Sequence, residues 1–214
     1  MSKLAKLKGI TPKYVFGRVR HEIRKNNNEK IIKKNKPLLH NKDVSIISQN
    51  CVGGVFYHDM GLQFLSPTVN LYLTSNEFLK YVINIKKYND IVPVVTMDDE
   101  KKYPVGKLGD LTLNFMHYHT CDEALQKWED RKKRINYDNL FVMVIDDKYF
   151  TEDSYKEFEK ISYDKILFTT DKVYAGKPDC LVLDKIFENG KSIIIEHRKF
   201  YKNKVLINKL NAMK

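Results

Sequence analysis

The run Leu140-Phe-Val-Met-Val-Ile145, the polar stretch 152–161 behind it and Lys165-Ile-Leu-Phe-Thr-Thr170 decide the fold class of this chain. Six apolar residues without alternation read as a strand covered on both faces, as in the centre of a parallel sheet. Parallel neighbours need a crossover, and the polar stretch is long enough to supply a helical one. Outward from this unit, CLVL (180–183) and SIIIE (192–196) repeat the strand signal, and VSIIS (44–48) places a β-branched strand near the start. Strands alternating with helices predict an α/β fold, a layered sheet flanked by helices with much parallel pairing.

The region between 48 and 140 carries further elements. A short helix is expected around Val55–Met60, stopped by Gly61. Strand-like VNLYL (69–73) leads into Thr74-Ser-Asn-Glu77, a capping box that opens a helix with Phe78, Leu79, Val82 and Ile83 on one face. IVPVV (91–95) reads as a strand that Pro93 moves to an edge. Tyr103–Gly106 and Gly109-Asp110 bracket a turn, and LTLNFMHY (111–118) alternates like a half-buried strand. Thr120-Cys-Asp-Glu123 is a second capping box, opening a helix to about Lys133 with Ala124, Leu125 and Trp128 inward. Ile135–Asn139 marks a seam, so the expected organisation is an arm at 1–43, a first α/β lobe at 44–135 and a second at 136–214 with a basic tail.

The 214 residues carry 38 Lys+Arg and 27 Asp+Glu, a formal +11. That charge is not evenly spread: residues 1–43 hold +10, residues 196–214 hold +5 and the body between them holds −4. The arm is helical by its signals, with Thr11 as cap, Pro12 at the first position and Val15, Phe16, Val19 and Ile23 at helical spacing between arginines. It reads either as an amphipathic anchor on an anionic bilayer or as a surface helix packed on protein. Basic ends give salt-sensitive affinity for nucleic acid, but no helix-turn-helix, finger or RNP-type motif is present and the acidic body lacks a basic groove. No apolar run reaches the length of a membrane span, and no apolar segment follows the first basic residues, so no secretory signal is expected. Three separated cysteines without a CxxC pair fit reduced thiols, and cytoplasmic residence follows as the expectation.

Chemistry-bearing residues gather in three places. The turn Ser48-Gln-Asn-Cys-Val-Gly-Gly54 follows the first body strand, where open α/β sheets bind ligands; its glycines serve either a phosphate or the geometry of a tight turn. Cys51 is a nucleophile there if a positive helix end lowers its pKa, and otherwise a packing residue. Ser66 lies in a loop before a strand, with a hydroxyl for a cap or a ligand. His117-Tyr-His119 places two imidazoles on one strand face, but no third ligand sits at a telling spacing, so no metal is assigned and His117 is a candidate acid or base. The densest cluster is Trp128-Glu-Asp-Arg-Lys-Lys-Arg134 followed by Ile-Asn-Tyr-Asp-Asn139. In it Arg131 and Arg134 suit a phosphate, and Asn136, Asp138 and Asn139 precede a buried strand.

SQNCVGG, GLQFLSPTVNLYL, YPVGKLGD, NFMHY and EALQKWEDRKKRINYDNLFV together resemble a bacterial family of unassigned activity. Its members are commonly labelled exopolysaccharide or capsular polysaccharide biosynthesis proteins. The resemblance is strongest over 44–146. It implies that Asn50, Cys51, Gly53, Gly54, Ser66, Pro67, His117, Tyr118, Trp128, Arg131, Arg134, Asn136, Asp138 and Asn139 occupy signature positions. The family often has an aromatic residue after the cysteine; Val52 stands there in this chain, which bears on ligand specificity.

The functional expectation is a transferase-like enzyme acting on a nucleotide sugar or a lipid-linked phosphosugar, needing no cofactor. In it Asn50–Gly54, Arg131 and Arg134 hold phosphate, Asn136 and Asn139 hold sugar hydroxyls, and Asp138 or His117 is the base. The basic ends would hold it on the inner face of an anionic membrane. The alternatives are a non-catalytic accessory protein of the same assembly, docking through its ends, and a non-specific nucleic-acid binder.

Overall fold

The computed structural model describes residues 26–183 and 204–213. The expected helix at Thr11–Ile23 and the strand at 192–196 lie outside the described residues. In chain order the elements begin with helical residues 26–35 (α1), strand β1 (Ser45–Ser48) and helix α2 (Val52–Met60). Helices α3 (Ser75–Ile83) and α4 (Ile85–Asn89) lead to strands β2 (Val94–Asp98), β3 (Tyr103–Leu108) and β4 (Leu111–Asn114). Helix α5 (Cys121–Lys132), strand β5 (Leu140–Ile145), helix α6 (Glu152–Glu159), strands β6 (Asp164–Thr169) and β7 (Cys180–Val182) and helix α7 (Val205–Ala212) complete the series.

The fold is α/β. One sheet runs β1-β5-β6-β7 with every pair parallel, and a second, β2-β3-β4, is antiparallel. β5 is apolar throughout because both of its faces are covered. Phe141, Met143 and Ile145 join Ile46, Ile166 and Phe168 under α2, Leu39 and the Leu206/Leu210 face of α7. Val142 and Val144 join Ile47 and Leu167 on the opposite face, under α3, α5, α6 and the antiparallel sheet. Ser45 pairs with Leu140 and Ser48 with Met143, so the 135–136 boundary runs between partner strands of one sheet. The stretch before Asp43 is tied to the body too: Leu39 is 2% exposed, and Asn211 of α7 accepts from the His40 amide and donates to Leu38 O.

β1 forms an edge of the parallel sheet, and side chains take the place of a further strand. The Tyr57 hydroxyl accepts from the Ile46 amide at 2.6 Å and donates to Val44 O at 3.0 Å. Thr68 Oγ1 accepts from the Ser48 amide. An edge satisfied in this way offers no free ladder to another chain. It also explains why residues 69–73, expected as a strand, contribute only a single bridge from Tyr72 to Asn114.

The capping residues act as the sequence implies, since Thr74 accepts from the Glu77 amide and Thr120 from the Glu123 amide. Gly61 stops α2 with a left-handed φ of 68°. Tyr103–Gly106, expected to flank a turn together with Gly109-Asp110, belongs to β3. Pro104 is accommodated because pairing with β4 begins only at Val105, and the reversal is the two-residue loop Gly109-Asp110, with Gly109 at φ 61°.

Candidate functional site

β1 leads into α2 on one face of the parallel sheet, and β5 leads into α6 on the other. Chains that leave neighbouring parallel strands in opposite directions open a crevice at the carboxyl edge, where α/β sheets take their ligands. Gln49, the first residue after β1, spans that crevice. Its amide donates to Met143 O, its Oε1 accepts from the Ile145 amide and its Nε2 donates to Asp147 at 2.9 Å. Asp147 also accepts from the Tyr72 hydroxyl, the Ser75 amide and hydroxyl, and the Tyr149 amide. Burial, and then the charge of Asp147, raises the Tyr72 hydroxyl well above its ordinary range.

Cys51 caps α2 directly beyond Gln49 and Asn50, and it is 5% exposed. Its Sγ lies 3.0 Å from Nε2 of His117, a histidine carried by the turn after β4 and exposed on its outer side. Burial pushes the Cys51 thiol up to about 11, and its Sγ and the imidazole Nε2 share a hydrogen bond. The neighbouring Tyr118 hydroxyl donates to Val69 O at 2.9 Å and accepts from Arg131 Nη1 at 2.6 Å. Burial raises that hydroxyl and the Arg131 charge opposes the rise. Arg131 is 8% exposed, its guanidinium lies 5.2 Å from the Phe64 ring centroid, and no described carboxylate pairs with it. Among the described residues this buried guanidinium is held only by neutral groups, which suits it to an incoming anion.

The glycines of the turn have a visible packing task. A Cβ on Gly53 would stand 2.6 Å from Ser48 Cβ, and one on Gly54 would stand 3.0 Å from Val69 Cγ1. The helix therefore sits hard against strand and loop. The first amides of α2 already have acceptors: Asn50 Oδ1 takes Val52 N–H, and Ser48 Oγ takes Gly53 N–H. Ser66 is fully buried, with its Oγ 3.0 Å from Thr68 Oγ1. Trp128 is 1% exposed in the core beside Tyr81 and Phe115.

The structure thus brings Cys51, His117 and, through Tyr118, Arg131 to one locality around the Asn50–Gly54 turn. Other candidates lie elsewhere. Asn136 and Asn139 sit at the amino edge of the sheet: the Asn136 amide donates to Ser45 Oγ at 2.8 Å, and Asn139 exchanges two bonds with Asn41 and donates to Asp43. Asp138 is exposed in the same loop, and Arg134 is exposed just past α5. Asp146 and Asp147 drew no notice in the sequence. Their signal was the position of two aspartates immediately after the buried run 140–145, which is the carboxyl end of a central strand.

A family model described as a domain of unknown function, DUF1919, matches residues 22–214. The chain belongs to this family. Among its relatives is an uncharacterised protein of Haemophilus influenzae, 44% identical over 132 residues. That alignment covers 61% of this chain and 64% of the relative, less than two thirds of its length. It is the local geometry of this DUF1919 chain, rather than its kinship, that speaks to chemistry. No described helix is long and apolar enough to cross a membrane.

Proposed function

We propose that this protein is a transferase-like enzyme of surface-glycan assembly, acting on a phosphate-activated sugar or a lipid-linked glycan, with Cys51 and His117 as its reacting pair. The 3.0 Å contact of Sγ and Nε2 at the amino end of α2 carries this reading. A thiol with its pKa near 11 is unreactive by itself, so the imidazole must take its proton as sulfur attacks. The helix end favours the developing thiolate. Sulfur bonds to the electrophilic carbon of the sugar, the bond from that carbon to the phosphate oxygen breaks, and His117 hands its proton to the departing phosphate beside Arg131. Neutral His117 then takes the acceptor hydroxyl proton, the acceptor oxygen displaces sulfur, and the proton returns to Cys51. Asp138, at the other end of the sheet, has no part in this assignment. The resemblance to exopolysaccharide biosynthesis proteins supports the substrate class, and the basic ends would keep the enzyme at an anionic membrane face.

Intact-mass spectrometry after incubation with nucleotide sugars and polyprenyl-phosphate sugars tests the covalent step. A glycosyl adduct that disappears in Cys51→Ser, with glycan production lost in His117→Gln, is the expected result. Full glycan production by both variants, with no adduct across the panel, would overturn it. That same outcome selects a second reading, favoured by the 5% exposure of Cys51: a non-catalytic accessory protein that docks through its basic ends. Flotation of the whole chain with anionic but not neutral vesicles is the mark of that role.

A further inference from the structure

A second hollow opens at the carboxyl ends of β5 and β6, on the α6 side of the sheet and outside the Cys51–His117 locality. Its volume is about 680 Å³, within the range of sites that take a small oligosaccharide. The inner wall is aromatic: Tyr155 and Tyr174 lie 4.7 Å apart between ring centroids, and Phe150 meets Tyr174 edge-on at 6.1 Å. Carboxylates of Asp146, Glu152, Glu159 and Asp171 surround it.

Two lysines line the same hollow, and they differ in their state. Lys156 is engaged at the rim, 2.8 Å from Asp153. Lys177 is not paired with any described carboxylate; its Nζ lies over the two tyrosines, 4.3 Å from one ring centroid and 5.1 Å from the other. The residue itself is exposed, on a flexible stem free to withdraw. An ammonium over two ring faces within a ring of carboxylates is a cation-recognition arrangement, here filled by the chain's own side chain.

We infer that this hollow binds a sugar bearing a free amine, whose ammonium takes the place over Tyr155 and Tyr174 that Lys177 now holds. Hydroxyl groups of the sugar suit the surrounding carboxylates as acceptors, while the excess of negative charge disfavours a phosphorylated ligand. Asp146 has one oxygen engaged by the Thr169 hydroxyl at 2.6 Å. Burial raises its carboxyl, an effect reinforced by the charges of Asp171 and Asp147, so a ligand cation would relieve this repulsion. The inference rests on the glycan reading above and adds that the acceptor is aminated.

Calorimetric titration of the full chain with a glucosamine trisaccharide and with its fully N-acetylated counterpart, at mildly acidic pH, tests it. The two probes share the same sugar backbone, and acetylation replaces each ammonium by a neutral acetamido group. The free-amine form is expected to bind about tenfold or more tightly than the acetylated form. Lys177→Ala, at an exposed position, should tighten the amine form several-fold by removing the internal competitor. Tyr174→Leu should weaken it about tenfold. Equal binding of the two probes, no binding of the amine form, or weaker binding in Lys177→Ala would overturn the inference. Repeating the titration in Cys51→Ala separates the two readings. Unchanged amine binding there is expected, whatever the fate of the covalent step.

Discussion

The two edges of the parallel sheet carry similar residue types and use them differently. At the amino edge Asn41, Asp43, Ser45, Asn136 and Asn139 bond to one another, and Asn41 is tied further to Leu210 and Asn211 of α7. At the carboxyl edge Asp147 is also saturated, but a thiol–imidazole pair stands just beyond Gln49, an open acidic hollow adjoins Asp146, and the Arg131 guanidinium behind Tyr118 has no carboxylate partner among the described residues. Polar density alone does not distinguish a site from a staple. What separates them is whether groups with a chemical task remain after internal bonding is complete.

The largest expected effect falls on the clamp at the carboxyl edge. Asp147→Ala strips the acceptor from Gln49, Tyr72, Ser75 and Tyr149, and should destabilise the fold by about 3–4 kcal/mol through donors left without partners. A urea midpoint indistinguishable from wild type would mean that water replaces the carboxylate at no cost, and the clamp would lose its meaning.

Next comes the pH dependence of Cys51. Its folded pKa is raised by burial, so the native state holds the thiol proton more tightly than the unfolded chain. The resulting stability is complete below the unfolded thiol value and is lost as pH rises toward about 11, a change of about 2–3 kcal/mol. Denaturation midpoints of wild type and Cys51→Ala, followed across that alkaline window, should converge as the difference disappears. Parallel curves would place the thiol in contact with solvent.

A smaller effect belongs to the amino edge. Asn139→Ala removes bonds to Asn41 and Asp43 and should cost about 1 kcal/mol, while leaving the alkylation rate of Cys51 unchanged. An altered alkylation rate would tie the two edges together. The smallest is His117→Gln. The side chain is exposed, so stability should stay within about 0.5 kcal/mol of wild type, although the proposed transfer is lost. A large loss of stability would make His117 a structural partner of Cys51 rather than a base.

Local physics was legible wherever the signal was local. The caps Thr74 and Thr120 and the stop at Gly61 follow from side chains acting within a few residues of themselves, whereas the strand expected at 91–95 forms at Val94–Asp98 with Pro93 outside it. The expectation at 69–73 missed for a non-local reason. Apolar Val69, Leu71 and Leu73 are buried, but Tyr57 and Thr68 had already satisfied the edge that this segment would otherwise join. The start of α2 lies three residues earlier than expected, since Asn50 and Ser48 side chains accept its first amides.

By itself the sequence determined that the chain forms α/β layers, because continuous apolar strands must be covered on both faces and their parallel partners require crossovers. It also named Cys51 and His117, but it assigned no partner to either. Only the tertiary structure decided that they meet, across 66 residues of chain, and that Asn136 and Asn139 face the other way. Strand order fixes which loops share an edge of the sheet, and strand order is set by packing between segments distant in sequence, which residue spacing cannot express.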